Sequence, residues 1–334
     1  MIQLCKREPV PFSSNPFGLV YENAITENKE NEVQIHLYTY TLNGIKIATN
    51  IYTPKNYQSN NSFPAIVIAV PNGAVKEQAA GLYAQRLAEK GYITIVSDPM
   101  FFGESEGTPR QQDIPYYRIE DIRGMIDVIS TFPKVDSTNI YGLGICGGGG
   151  YMLSASQMDK RIKKVATLSM FNTGAVRREG FQNSQIDTIL KRLHEVADIR
   201  EKEIKENHLI YNQNMSDMDA SIGHQLPIEM YREGYKYYVE THAHPHSQSC
   251  FLQRNLMDLM VYDPVQFMYL LDQPLLMMVG DQADTNYMSE QAYELAINTK
   301  NKELYYLKEA THIQTYYKEN VVKEAIEKLD LFYK

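Results

Sequence analysis

A cysteine between glycines follows an apolar run and precedes a helix-like segment. Gly144 and Gly148 lie two residues before and two residues after Cys146, which gives the pattern G-x-C-x-G. This spacing is typical of a nucleophile elbow, a sharp turn from strand to helix whose strained backbone leaves no room for larger neighbours. The pattern therefore predicts that Cys146 is the nucleophile of an acyl-transfer reaction.

Two further side chains supply the chemistry that a thiol nucleophile needs. Asp284 follows the apolar run 274–279, and His312 follows the run 303–307. Both come after Cys146, in the order nucleophile, acid, histidine, just beyond the C-terminal ends of predicted strands. We expect His312 to take the thiol proton and Asp284 to fix the tautomer of the imidazole.

The oxyanion formed in such a reaction needs two backbone N–H donors. Gly147, the residue after the nucleophile, is expected to supply one, and Gly73 or Ala74 in the loop 71–78 the other. Cys146 also opens the helix that begins at Gly147. Both the helix N-terminus and the imidazole are therefore expected to lower the pKa of the thiol below its ordinary value of about 8.5.

Two other patterns in the sequence suggest metal or phosphate binding at first sight. His242, His244 and His246 alternate, as ligands on one face of an extended segment would, but no matching acidic or cysteine cluster accompanies them. The glycines at 147–150 lack the Lys-Ser/Thr ending of a phosphate-binding loop. We therefore predict that the reaction needs no metal and no organic cofactor.

Short apolar runs alternate with helical patterns along most of the chain. The runs lack a continuous polar face, which favours parallel strands covered on both sides, and a hairpin formed by segments 33–40 and 44–52 precedes them. The predicted strands are 65–70, 93–96, 140–143, 165–168, 274–279 and 303–307, and the predicted helices are 78–90, 118–132, 151–158, 186–205, 289–298 and 318–334. This alternation predicts an α/β fold with a mostly parallel, doubly wound sheet.

The rhythm of strands and helices divides the chain into three parts. Residues 1–32 form a polar lead segment, and residues 33–172 and 269–334 form the α/β core. Residues 173–268 lack strand-like runs, so we predict an inserted helical cap over the C-terminal edge of the sheet, where ligands bind in open α/β folds. A dimerisation appendage is the alternative interpretation of this insertion, and a homodimer formed through it stays open.

Composition narrows the class of partner. The chain has 334 residues, 43% of them apolar and 22% charged, and a formal net charge of −8. No basic cluster offsets this charge, which argues against nucleic-acid and anionic membrane partners and favours a small neutral or weakly charged substrate. The three cysteines lack metal spacing, and no signal-like or membrane-spanning run is visible, so a cytoplasmic location is expected.

The motifs together resemble the α/β-hydrolase superfamily, and within it the dienelactone-hydrolase-like branch that carries cysteine on the elbow. The resemblance extends from about residue 33 to the C-terminus. It includes bacterial hydrolases and fungal polyketide thiohydrolases or acyltransferases, whose inserted segment is similar to residues 233–238. It rests on residues 71–78 (PNGAVKEQ), 98–107 (DPMFFGESEG), 144–151 (GICGGGGY) and 310–312 (ATH).

The resemblance implies an α/β-hydrolase fold and a cysteine triad that cleaves an ester-like bond. The acid loop departs from the family pattern, because Ala283 stands where the aspartate is usual and Asp284 lies one position later. Asp281 therefore competes for the role of the acid. We expect hydrolysis of a carboxylic ester, lactone or thioester through an acyl-Cys146 intermediate. Acyl transfer by the same triad and a non-catalytic ligand-binding or assembly role are the alternatives.

Overall fold

The computed structural model describes residues 2–334, and Met1, the first residue of the predicted lead segment, lies outside the described residues. In the described part of the chain, nine strands form a single sheet. They are β1 (Cys5–Lys6), β2 (Gln34–Leu42), β3 (Ile45–Thr53), β4 (Phe63–Ala69), β5 (Ile93–Ser97), β6 (Val135–Ile145), β7 (Ile162–Leu168), β8 (Leu275–Gly280) and β9 (Lys302–Leu307). Their spatial order is β1-β2-β3-β5-β4-β6-β7-β8-β9.

The sheet has an antiparallel edge and a parallel body. β1, β2, β3 and β5 pair antiparallel in that order, whereas β5, β4, β6, β7, β8 and β9 pair parallel. Every residue of β5 and β8 is buried, which explains why these runs carry no polar face. The predicted doubly wound sheet preceded by a hairpin is confirmed.

Within residues 2–334, ten α-helices accompany the sheet. They are α1 (Ala79–Glu89), α2 (Pro115–Ile129), α3 (Gly147–Met158), α4 (Thr173–Glu179), α5 (Ile189–Glu206), α6 (Ala220–Gly223), α7 (Glu229–Tyr235), α8 (Leu256–Leu259), α9 (Asn286–Leu295) and α10 (Glu319–Tyr333). α1 packs against α10 and α2 against α3, as expected for helical layers on a doubly wound sheet. α2 begins three residues earlier than predicted because Pro115 occupies its first turn, where a missing N–H costs nothing.

The lead segment is more ordered than its polar composition suggests. Cys5 and Lys6 pair with Thr39 and Tyr38 and so add an edge strand to the hairpin. Leu19 and Tyr21 are buried in the core cluster. The segment therefore contributes to the sheet and to the core, which the sequence pattern did not indicate.

The chain between β7 and β8 is helical, and it contacts the loops at the C-terminal ends of the strands. The Gln248 amide donates to the Gly73 carbonyl at 3.0 Å, and the Leu252 amide donates to the Gln111 carbonyl at 3.1 Å. Helices α4 to α8 lie in this segment. Within residues 2–334, no helix combines the length and the apolar character that crossing a membrane requires.

Candidate active site

Cys146 occupies the sharp turn between β6 and α3. Its backbone lies at φ 54° and ψ −123°, a conformation that L-residues rarely adopt. A Cβ atom on Gly148 would come within 2.5 Å of the Ala69 and Val70 carbonyl oxygens, and one on Gly144 would collide with the Gly148 carbonyl oxygen. The elbow therefore requires glycine at both positions, for the steric reason that the G-x-C-x-G pattern suggests.

Two backbone amides act to lower the pKa of the Cys146 thiol by hydrogen bonding. They belong to Gly147, whose role as an oxyanion donor stays a prediction, and to Asn72. The Ala74 amide instead donates to the Pro71 carbonyl at 3.2 Å, and the Gly73 carbonyl accepts from Gln248. The turn that starts at Pro71 thus engages the N–H of Ala74, Asn72 is a further candidate donor from this loop, and the oxyanion role of Gly73 stays a prediction.

The imidazole of His312 is fully buried and hydrogen-bonded at both ring nitrogens. Nδ1 lies 2.7 Å from the Thr285 hydroxyl oxygen, and Nε2 lies 3.0 Å from the Tyr316 hydroxyl oxygen. Tyr316 lines the same pocket as Cys146 and acts to lower the pKa of its thiol. The structure therefore places Tyr316 between the predicted nucleophile and the predicted base.

Asp284 does not hold the imidazole of His312 in this structure. Its carboxylate accepts from the Met230 amide at 3.2 Å, in the first turn of α7, and its Oδ1 atom is buried without a hydrogen bond. The competing residue Asp281 is exposed and accepts from the Ala310 amide at 3.3 Å. The role predicted for Asp284, orientation of Nδ1, falls to the next residue, Thr285, because the carboxylate satisfies helix N–H groups of the inserted segment.

Burial governs the ionisation of both reactive groups. It lowers the pKa of His312 to about 3, so the imidazole is neutral at physiological pH. Burial also raises the pKa of the Cys146 thiol above its ordinary value, although hydrogen bonds from Tyr316, Gly147 and Asn72 and the charge of Arg118 act in the opposite direction. The expected lowering of the thiol pKa is thus not found, and the resting site holds a neutral thiol and a neutral imidazole.

A pocket of about 280 Å³ leads to Cys146 between the core and the inserted segment. Its wall is mainly apolar and includes Met215, Met218, Leu226, Met230, Tyr231 and Phe251. Arg177, whose guanidinium lies 4.8 Å from the centre of the Phe251 ring, adds a cation, and Cys250 adds a second thiol. The arrangement offers a small apolar chamber with the nucleophile on its wall.

Three residues of this site escaped prediction from the sequence. Tyr316 lies four residues after His312, a spacing that brings side chains together on a helical turn. Thr285 adjoins the predicted acid, and Asn72 adjoins the predicted oxyanion donor Gly73. Their types alone do not distinguish them from the many other tyrosines, threonines and asparagines of the chain.

A buried ion cluster lies beside the loop 71–78. The ammonium of Lys76 lies 2.7 Å from Glu77, 2.7 Å from Asp98 and 2.6 Å from Glu104, measured to carboxylate oxygens. These three acids are the one group within residues 2–334 whose spacing could hold a metal ion, and Lys76 already supplies the compensating charge. The predicted absence of a metal at His242, His244 and His246 stays a prediction.

The parallel sheet, the cysteine elbow at the end of β6 and the histidine after β9 define an α/β hydrolase. The chain belongs to the S15 peptidase family, because the family model described as X-Pro dipeptidyl-peptidase (S15 family) matches residues 43–314. It is therefore an enzyme of the α/β-hydrolase type.

Relatives of similar length support this assignment. Uncharacterized protein YcjY of Escherichia coli (strain K12) is 35% identical over 295 residues, which cover 86% of this chain and 94% of that protein. The crystal structure of hypothetical protein PA2218 from Pseudomonas aeruginosa is similar, with a TM-score of 0.83 and 29% identity over 93% of this chain and 98% of that one. Thiohydrolase aneE of Aspergillus aculeatus is 27% identical over 155 residues, 46% of this chain and 47% of that protein.

Proposed function

We propose that this hydrolase cleaves a carboxylic ester, lactone or thioester of a small substrate through an acyl-Cys146 intermediate. The observation that carries the proposal is the geometry at the sulfur. Cys146 is held on a strained elbow at the wall of an apolar pocket, and hydrogen bonding by the amides of Gly147 and Asn72 acts to lower the pKa of its thiol. Such amides stabilise the negative oxygen that forms when a nucleophile adds to a carbonyl.

Cysteine at the elbow favours ester-like substrates over peptides. The S15 family normally uses serine, whereas residue 146 of this chain is cysteine. A tetrahedral intermediate on sulfur expels an alkoxide or a thiolate readily, but it expels the sulfur itself in preference to an unprotonated amide nitrogen. The similarity to a protein named thiohydrolase points in the same direction.

The pocket sets the size of the acyl group. Its 280 Å³ lie just below the roughly 300 Å³ at which typical ligand sites begin, so a small or medium acyl chain fits and a larger one does not. Each buried methylene stabilises binding by about 0.8 kcal/mol, which is roughly a fourfold change in affinity. kcat/KM is therefore expected to rise with acyl length by up to this factor per carbon and then to fall once the pocket is full.

A series of p-nitrophenyl esters and matched acyl thioesters of increasing chain length tests the proposal. We expect a maximum within the series and loss of turnover in Cys146→Ala. Addition of alcohols or amines as acceptors separates hydrolysis from acyl transfer, because transfer yields the acylated acceptor in place of the free acid. Turnover that survives in Cys146→Ala would contradict the proposal.

A further inference from the structure

The side chain of Tyr316 lies where direct contact between nucleophile and base is expected. Its hydroxyl oxygen is 3.0 Å from Nε2 of His312, and Tyr316 lines the same pocket as Cys146. Interaction with Tyr316 also acts to lower the pKa of the Cys146 thiol. The side chain of Tyr316 is only 1% exposed, and Tyr238 of the inserted segment lines the pocket beside it. The tyrosine is therefore held in place from the core side and from the side of the inserted segment.

The imidazole is equally restrained. Thr285 holds Nδ1 at 2.7 Å, and Phe171 packs edge-on against the ring at a centroid distance of 6.4 Å and an interplanar angle of 90°. His312 would have to give up its hydrogen bond to Tyr316 before Nε2 could meet the thiol. The observed arrangement already joins His312 to Tyr316, and Tyr316 lines the pocket together with Cys146.

We propose that the Tyr316 hydroxyl carries the proton between Cys146 and His312, so that thiol and imidazole exchange a proton through the tyrosine and not by direct contact. This inference rests on the proposed function, since it gives the path of the proton in the same reaction. It makes Tyr316 a catalytic residue, because its hydroxyl would exchange a proton directly with the reacting thiol.

In the acylation step, the S–H bond of Cys146 breaks and its proton goes to the oxygen of Tyr316. The original O–H proton of Tyr316 goes to Nε2 of His312 in the same event. The electron pair left on sulfur forms the bond to the acyl carbon, and the carbonyl π pair becomes the oxyanion held by Gly147 and Asn72.

Collapse of this intermediate returns the protons along the same path. The C=O bond re-forms, the bond from carbon to the leaving oxygen or sulfur breaks, and the leaving group takes a proton from Tyr316. The proton on Nε2 then replaces the one that Tyr316 gave up. Thr285 accepts from Nδ1–H throughout, which keeps Nε2 as the basic nitrogen.

Thiol alkylation tests this relay without needing an ester substrate. The wild-type chain, Tyr316→Phe, His312→Gln and the double variant would each be treated with iodoacetamide at pH 7. Peptide mass spectrometry would then measure the rate at which Cys146 is alkylated. Tyr317→Phe is the matched control, since it removes a hydroxyl from the neighbouring residue, which is 37% exposed. Thermal unfolding of each variant checks that the fold is intact.

The relay predicts that each single variant slows alkylation by roughly tenfold or more, and that the double variant is no slower than the slower single one, because the two residues act in series. Tyr317→Phe is expected to react like the wild type. Equal or faster alkylation of Tyr316→Phe would show that the tyrosine only blocks the thiol and would overturn the proposal. If the rate losses of the two single variants multiply in the double variant, the proposal would be overturned as well.

A second measurement uses the wild-type chain alone. Acylation by p-nitrophenyl acetate in mixtures of H2O and D2O is expected to give a bowed dependence on deuterium fraction, since two protons move together. A straight line would contradict the relay. Because alkylation needs no acyl substrate, the relay can fail while esters are still cleaved, and ester cleavage can fail while the relay stands.

Discussion

The carboxylate that usually accompanies a catalytic histidine is replaced here by a hydroxyl. Thr285 lies 2.7 Å from Nδ1 of His312, and burial is the cause that lowers the pKa of this imidazole. A threonine can orient the ring, but it adds no negative charge to stabilise an imidazolium. We therefore expect the His312 imidazolium to exist only briefly, during the proton transfer.

The contrast between Thr285 and Asp284 is testable. Thr285→Val is expected to lower kcat/KM for the preferred ester by roughly tenfold or more, because the orienting hydrogen bond is lost. Asp284→Asn is expected to stay within a few-fold of the wild type, since its carboxylate contacts α7 and not the imidazole. Replacing a true triad aspartate costs about 10⁴ in kcat, so a loss of that size in Asp284→Asn would restore the acid that chain order suggests.

The pH dependence of thiol reactivity follows from the raised pKa of Cys146. A thiol whose pKa lies above its ordinary value is protonated at neutral pH, and its thiolate fraction grows about tenfold per pH unit below that pKa. In Tyr316→Phe, which lacks the relay, alkylation of Cys146 is expected to rise at this rate from pH 7 to pH 9. The wild type is expected to rise less steeply, because the relay also removes the thiol proton at neutral pH. A plateau below pH 7 in Tyr316→Phe would instead indicate a preformed thiolate–imidazolium pair.

At the scale of elements, local sequence patterns were sufficient to predict the sheet and the elbow. The runs in β5 and β8 are buried along their whole length, and a side chain on Gly144 would collide with Gly148 and Met152 of the turn and helix that follow it. Such features depend on neighbours in sequence. The antiparallel edge strand β1 escaped prediction because its partner is supplied by a distant segment.

The partners of the site side chains could not be predicted in the same way. Asp284 and Thr285 are adjacent in the chain, and only the position of α7 decides which of them faces His312. Likewise, hydrogen bonding within the turn 71–74 engages the Ala74 N–H, and the amide of this loop that acts on the thiol pKa is that of Asn72. Both outcomes depend on packing between the core and the inserted segment, which residue spacing does not encode.

The steric requirement of the elbow predicts opposite effects for two glycine substitutions. Gly148→Ala is expected to destabilise the fold by about 2 kcal/mol or more, since the new methyl would meet two backbone carbonyl oxygens at 2.5 Å. Gly234→Ala in α7 is the matched control. There the nearest atom lies 3.9 Å away, and alanine is expected to stabilise the helix by about 0.5 to 1 kcal/mol.

Urea denaturation of both glycine variants measures these effects directly. The midpoint of Gly148→Ala should move down and that of Gly234→Ala up, with unchanged slopes. If Gly148→Ala were as stable as the wild type, the turn would have accommodated the methyl group without loss of folding free energy, and the prediction would be wrong.

At the scale of the whole molecule, the buried cation Lys76 links the lead segment, the sheet and the loop beside Cys146. Its ammonium contacts Asp98 directly after β5, and Glu104, which also pairs with Arg7 of the lead segment at 2.7 Å. Burial of so many charges is tolerated only because they compensate one another. The loop that carries Asn72 is thus anchored by an electrostatic cluster.

We expect removal of this cation to cause a large, pH-dependent loss of stability. Lys76→Met is expected to cost about 3 to 5 kcal/mol, because the acids around it lose their main counter-charge. The loss should be smaller at pH 5 than at pH 8, since the stranded carboxyls can then bind protons. Lys46→Met, which removes an exposed lysine paired with Glu106 at 3.4 Å, is the control and is expected to change stability by less than about 1 kcal/mol.

The central claim is that the acyl group passes through the sulfur of Cys146. Rapid mixing with an activated ester, acid quench and intact mass spectrometry would test it most directly, with peptide mapping to locate the adduct. We predict one acyl group on Cys146, its retention in Cys250→Ala, which removes the other thiol of the pocket, and its loss in Cys146→Ala. Ester cleavage without an adduct on Cys146, or an adduct that persists in Cys146→Ala, would contradict the account.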